Sequence, residues 1–215
     1  MVMYFCRIMK FMDMEVDIKA NKEKCVELLR STGREGVEDL ILELDRMGFF
    51  TAPASAVYHL NCEGGLAQHS LNTFKAALGV WENMKNFCPH IAKEVSMDNI
   101  IIASLLHDLC KCDVYKRKRE PSLRPYDYTK ETSRYSSSYD EFPIGHGEKS
   151  VILALCAGLV MCDSEMVAIR WHMGPWSVNM ENNDEKMSFK AAQDKFALVT
   201  IIQVADTLAA RIIER

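Results

Sequence analysis

No apolar run in this sequence is long enough to cross a bilayer. The longest charge-free stretch, Val151 to Cys162, is roughly a dozen residues against the roughly 20 that a spanning helix needs. Surplus positive charge is missing too: 26 lysines and arginines face 30 aspartates and glutamates, for a net charge of -4, so nothing draws the whole molecule to nucleic acid or to an anionic membrane. The opening MVMYFCRIMKFMDMEVD has neither a long apolar segment nor a small-residue cleavage pattern, and the reading expects no secretory leader and a cytoplasmic location. Strand-like alternation is absent or weak, and there is no internal repeat, low-complexity tract or heptad run. Cysteine is not scarce, at eight residues, but Cys25, Cys110, Cys156 and Cys162 lie inside apolar helical patterns, which favours reduced thiols. Cys110 and Cys112 form a C-x-C with no second pair nearby, short of a structural zinc spacing.

What is present is a chain of 215 residues, 48% hydrophobic and 26% charged, enough for one sizeable core. Residues 1–16 read as a poorly defined N-terminal extension and 17–215 as one helical domain. Residues 18–31 and 34–47 place leucine, valine and isoleucine at three- and four-residue spacing, with Gly33 between them and Gly48 after. A third helix is expected from Leu66 to about Lys85. Ser96 suits the N-cap of a fourth, with Asp98 in its first turn, running from Asn99 to about Lys111 and apolar on nearly every side, as a buried central helix would be. Further helices are expected at 147–160, at 164–173 and, after a polar loop through Asn182, Asn183 and Asp184, from Phe189 to the end. Between them, about 113–145 carries tyrosines, serines, basic residues and Pro121, Pro125 and Pro143, which is loop chemistry. The fold class is a compact all-α bundle of about seven helices.

Candidate site residues stand out because they occupy places where a helical core should have leucine. In IIIASLLHDLCK, His107 and Asp108 follow an unbroken apolar run, and a buried carboxylate needs a partner or a metal. On the last helix Phe189, Ala192, Phe196, Val199, Gln203, Asp206 and Ala210 advance by three or four residues, so Asp206 lies on the inward stripe. His69, His107, His146 and His172 fall on or at the mouth of four different expected helices. Imidazole nitrogen with carboxylate oxygen is the mixed donor set that Fe, Mn, Zn, Ni or Co accepts.

The order His69, His107-Asp108, His146, His172, Asp206, in the segments GGLAQHS, SLLHDLCK, PIGHGEKS, IRWHMG and QVADTLAAR, resembles the HD-domain superfamily of metal-dependent phosphohydrolases over about residues 55 to 211. The resemblance implies the HD-domain fold and one metal held by His69, His107, Asp108 and Asp206. It also implies a second metal bridged by Asp108 and held by His146 and His172, those two histidines otherwise touching phosphate or a water. It further implies phosphoester hydrolysis by a water that one or two divalent metals activate, with Asp108, Lys111 and His146 in catalytic positions and Lys111 contacting the phosphate, or else standing as a solvated helix-end cation. Arg170 and Arg211 are weaker phosphate candidates, each of which could instead pair with a surface carboxylate.

Departures from subfamily patterns narrow the substrate. His107-Asp108-Leu109-Cys110-Lys111-Cys112 lacks the acidic pair of guanosine tetraphosphate hydrolases, and Trp171-His172-Met173-Gly174-Pro175-Trp176 lacks the elements of cyclic dinucleotide phosphodiesterases. From Val114 to Tyr139 seven basic residues face three acidic ones, a local charge of +4, so a tyrosine-rich flap could hold a nucleotide's phosphates and stack its base, or could be a solvated loop. The expected partner is a small phosphorylated metabolite or nucleotide, not a long nucleic acid. Two alternatives share the ligand order or the loop: an HD-type di-iron oxygenase acting on a small polyol or phosphonate, and a binding module that holds metal without catalysis.

Overall fold

The computed structural model of the protein describes residues 16–123 and 132–214. The first 15 residues of the expected extension, the tip of the basic loop and Arg215 lie outside the described residues. Helix α1 (Ile18–Ser31) starts at Asp17, whose carboxylate accepts the Ala20 N–H at 2.9 Å, and α2 (Val37–Arg46) follows a turn through Gly33 and Gly36. Gly36 has φ +80°, and a Cβ there would meet the Gly158 carbonyl oxygen, so this turn can lie against the 158–160 segment only without a side chain. Helix α3 (Gly65–Phe87) is the longest among the described residues, and α4 (Ile91–Glu94) is a single turn after it.

Helix α5 (Met97–Leu106) opens with a capping box between Ser96 and Asn99. Ile100, Ile101, Ile102, Ala103, Leu105 and Leu106 are all buried, because α1, α3, α7, α8 and α10 surround this helix. Each such aliphatic side chain contributes about 1.5–3 kcal/mol of burial. The helix stops at Leu106, His107 to Cys110 form a turn, and α6 (Lys111–Val114) leads outward. The expected helix to Lys111 is therefore broken just where the His107-Asp108 pair needs its side chains aimed inward.

The stretch expected as loop holds an antiparallel hairpin, β1 (Tyr115–Leu123) with β2 (Thr132–Ser137), the one departure from helix in the described architecture. Register pairs Tyr115 with Ser137 and Arg117 with Tyr135, and shifts between Arg117 and Ser122. The strand signal was hidden because charged and polar residues occupy both faces of an exposed ribbon. Beyond it come α7 (His146–Cys156) and α8 (Asp163–Trp171), then a 3-10 turn at Gly174–Ser177.

The expected last helix is two. Helix α9 (Asn183–Lys195) begins at Asn182, whose side chain caps Asp184 and Glu185, so the polar residues there start a helix instead of a loop. Phe196 is extended (φ -129°, ψ 106°), and α10 (Ala197–Leu208) turns off at 101° before widening into a π turn at Ala209–Ile213. Neither proline nor glycine causes the break: the Glu94 carboxylate on α4 accepts the Ala197 N–H at 2.9 Å and supplies a start for α10. No single helix among the described residues is long and apolar enough to cross a membrane.

Candidate metal centre

Three helices and two helix ends deliver the site. His69 comes from the buried face of α3, Asp206 from α10, and His146 is the first residue of α7. His107 and His172 occupy the same local position, the residue just past α5 and α8 respectively. There each ring turns back on its own helix: His107 Nδ1 meets the Ser104 carbonyl at 2.8 Å and His172 Nδ1 the Ile169 carbonyl at 2.7 Å. A carbonyl only accepts, so Nδ1 carries the proton in both rings and each Nε2 presents a lone pair inward.

Those lone pairs converge. His69 Nε2 lies 3.2 Å from His107 Nε2, 3.4 Å from Asp108 Oδ2 and 3.1 Å from Asp206 Oδ1, while His107 Nε2 is 3.3 Å from Asp108 Oδ2 and 3.9 Å from Asp206 Oδ1. A metal bonded at about 2.0–2.2 Å to each donor sets neighbouring donors about 3–3.5 Å apart, close to these separations. The other oxygen of Asp108 faces a second set, with His146 Nε2 at 2.7 Å and His172 Nε2 at 3.5 Å. His172 Nε2 is buried and has no hydrogen-bond partner, an orphaned donor atom of the kind a metal satisfies. The chemistry and spacing of these residues fit one or two divalent cations: His69, His107 and Asp206 group together, Asp108 groups with His107 and His172 and again with Cys110 and His146, and the two Asp108 oxygens face different histidines.

Electrostatics are arranged around that buried carboxylate. Burial would raise the Asp108 pKa, but the Lys111 ammonium, His107 and His146 hold it well below the usual carboxylate range. Burial opposes charging His69, yet Asp108, Asp206 and Glu214 together lift its pKa well above the ordinary value. His146, also opposed by burial, is raised to about 9 by Cys110 and Asp108. Lys111 is raised against burial chiefly by Asp108, with which it forms an ion pair.

Several residues of the neighbourhood escaped the sequence reading. Glu214, just past the π turn, accepts from His69 Nδ1 at 2.9 Å and from the Asn72 amide at 3.0 Å, a carboxylate positioned to orient a candidate ligand histidine. His59, on the loop that folds over the start of α3, has its ring centroid 5.0 Å from that of His69, and burial lowers its pKa to about 4. Cys110 Sγ lies 3.2 Å from His146 Nδ1, and the Cys110 N–H donates to Ser150 Oγ at 3.1 Å. Glu214 could have been found only from the i,i+8 placement of Asp206 and Glu214 on one inward face, which a regular α-helix would rotate away and the π turn restores.

Lys111 reaches the cluster, and the two arginines suggested as phosphate contacts do not. Arg170 is held by Glu148 and Glu185 and stacks over Trp171 at 3.9 Å, so its charge is already balanced. Arg211 is exposed on the outer side of the π turn.

A helical core carrying histidines and aspartates on two adjoining donor sets, joined through one aspartate, is the class of protein that this architecture defines. The family described as HD domain matches residues 66–211, and the chain belongs to that family. A curated relative, dihydroneopterin 2',3'-cyclic phosphate phosphodiesterase of Methanocaldococcus jannaschii, is 31% identical over 108 residues, 49% of this chain and 40% of that protein. The match thus spans less than half of the relative's length. No solved structure matches the chain.

Proposed function

We propose that this chain is a metal-dependent phosphohydrolase that cleaves an ester of a small phosphorylated metabolite, a nucleotide or a similar cyclic phosphodiester. The observation that carries the reading is the placement of Asp108, whose two oxygens each face a separate set of inward imidazole nitrogens. In this reading His69, His107, Asp108 and Asp206 hold one metal, and Asp108, His146 and His172 a second. Fe, Mn, Zn, Ni or Co would suit these donors. When bound, such cations polarise a phosphoryl oxygen and make water a stronger nucleophile at neutral pH.

The remaining work falls to the chain's own groups. Ser104 and Ile169 carbonyls fix the tautomers of His107 and His172, and Glu214 fixes that of His69, so the donors are organised before any ligand arrives. Lys111, mostly buried at 12% side-chain exposure, carries a permanent positive charge beside Asp108 and is the group placed to hold a non-reacting phosphate oxygen. HD membership and the relative's name, a cyclic phosphate phosphodiesterase, support ester hydrolysis. A net charge of -4 agrees with a small substrate over a long nucleic acid.

The test is elemental analysis of the purified protein alongside assays on 2',3'-cyclic and linear nucleotides with added manganese, cobalt or nickel. Metal-dependent ester cleavage is expected, with both cleavage and bound metal lost in Asp108→Asn. Full cleavage by that variant with unchanged metal content would overturn the assignment, and two tightly held irons without cleavage of any ester would replace it with oxygen chemistry.

A further inference from the structure

Beside the candidate centre lies a second concavity, of about 340 Å³, at the small end of the range that holds metabolites. Its walls come from three places: the end of α2 and the loop after it (Met47 to Pro53), Glu63 just before α3, and the hairpin root with Cys112, Tyr115, Arg117 and Tyr135. The hairpin register explains why the last three act together. Tyr115 and Arg117 are two apart on β1 and share a face, and Tyr135 pairs directly with Arg117 from β2.

Tyr115 links this pocket to the metal centre, since it lines the pocket and directly follows α6, the helical turn that begins with Lys111. Tyr135 lines the same pocket together with Arg117 and Glu63. The lining therefore offers two phenol rings and a guanidinium plane for stacking, and Glu63 as its single carboxylate. Such a composition suits a flat heterocycle whose edge carries N–H donors. It does not suit an aliphatic chain, which would leave Glu63 and Arg117 without partners.

We infer that the pocket of Glu63, Tyr115, Arg117 and Tyr135 is a subsite for the heteroaromatic ring of the substrate, with the ring stacked on the tyrosines and an amino-pyrimidinone edge, as in pterin or guanine, held by Glu63. The inference rests on the proposed hydrolase and adds to it the class of leaving or retained group. Lys111 then marks the boundary between the two halves of the substrate, phosphate on its Asp108 side and ring on its Tyr115 side. A small volume closed on one side by the hairpin accounts for selecting a metabolite in place of a polymer.

Ring binding is measurable apart from cleavage. Neopterin, guanosine and uridine, none of them phosphorylated, are titrated by calorimetry into the metal-loaded protein and into Tyr135→Ala and Glu63→Gln, with circular dichroism to confirm folding. Neopterin or guanosine is expected to bind more tightly than uridine. Tyr135→Ala should weaken that binding by about tenfold, as for loss of one stacked ring, and Glu63→Gln should remove the preference over uridine. Whichever of neopterin and guanosine binds better names the ring. Binding that is equal in all three proteins, or absent from the unsubstituted one, overturns the subsite. The hydrolase fails separately: if no ester is cleaved with any metal while ring binding and its loss are as expected, the pocket stands and the proposed reaction falls. In the opposite case, metal-dependent cleavage of bis(p-nitrophenyl) phosphate with unaltered ring titrations overturns the subsite alone.

Discussion

Glu214 does its work through another residue. Its carboxylate accepts the His69 Nδ1–H at 2.9 Å, is itself steadied by Asn72, and leaves His69 Nε2, which faces Asp108 and Asp206, as the atom that would bind a metal. Without it the imidazole loses both its fixed tautomer and part of its basicity, which in comparable carboxylate-histidine pairs lowers metal affinity about 10–100-fold. Glu214→Gln is therefore expected to weaken metal binding within that range. Competition with a chelator, followed by metal analysis, reads the change directly. Rescue of activity by excess metal distinguishes this positioning role from a collapse of the fold, and an unchanged metal affinity would show that His69 is oriented by something else. At this scale the sequence exposed the ligand-type residues clearly. His69, His107, Asp108, His146, His172 and Asp206 are polar side chains at apolar places, and the structure links all six by contacts of 2.7 to 3.5 Å that run through Asp108 and His69. It did not expose their supports, because a glutamate near the end of a chain and an asparagine on a helix are ordinary until folding brings them to the same imidazole. Arg170 shows the reverse: a cation two residues from a candidate ligand was open in the sequence between phosphate contact and ion pair, and Glu148 and Glu185 hold it as the latter.

Elements were legible wherever hydrophobic period and caps agreed, as with α1, with α5 behind its Ser96-Asn99 box, and with the glycine-marked turn before α2. They were illegible where the deciding contact was distant in sequence. The run from Phe189 onward keeps one apolar stripe through Phe196, so its period alone asks for a continuous helix. What divides it is Glu94, about a hundred residues earlier, whose carboxylate takes the Ala197 N–H. The division aims α10, and with it Asp206, at His69 across the bundle. Losing a helix cap typically costs about 1 kcal/mol. Glu94→Ala is expected to lower unfolding stability by about that amount in urea denaturation, whereas Glu94→Gln, which keeps an acceptor oxygen, should recover most of it. Equal stability of both variants with the native chain would mean that packing at Phe196 alone makes the bend. The hairpin was hidden for another reason. Its residues are largely polar, so no alternation marks it, and it lies between α6 and α7 in the chain. Asp113 and the buried Lys149 join those two helices at 2.7 Å, tying the hairpin root to the helix that begins with His146.

Across the whole molecule the metal-free centre is held together by protons. Asp108, Asp206 and Glu214 are kept charged at pKa values below the ordinary ones, each in part by a histidine partner, and the raised His69 and His146 supply the compensating charge together with Lys111. A histidine whose folded pKa exceeds its unfolded value contributes stability that is complete below the unfolded value of about 6.5 and disappears as pH climbs through the folded one. For His146 that window runs from about 6.5 to about 9. On the acid side His59 acts with the opposite sign: its pKa of about 4 lies below the unfolded value, so each step down from about 6.5 favours the unfolded chain. The depressed carboxylates add to that loss once pH falls past their unfolded values near 4. Metal-free protein should therefore be most stable near pH 6.5 and lose stability toward both pH 5 and pH 9. Divalent metal replaces the same protons with its own charge, so its binding releases protons and tightens as pH rises. Thermal melting after chelation, at pH 5, 6.5, 8 and 9 with and without saturating manganese, checks both halves. The gap between the two curves should widen steadily above pH 6.5. A gap that is constant with pH would mean that manganese binds where these imidazoles do not have to give up protons, and the six-residue centre would then not be its site.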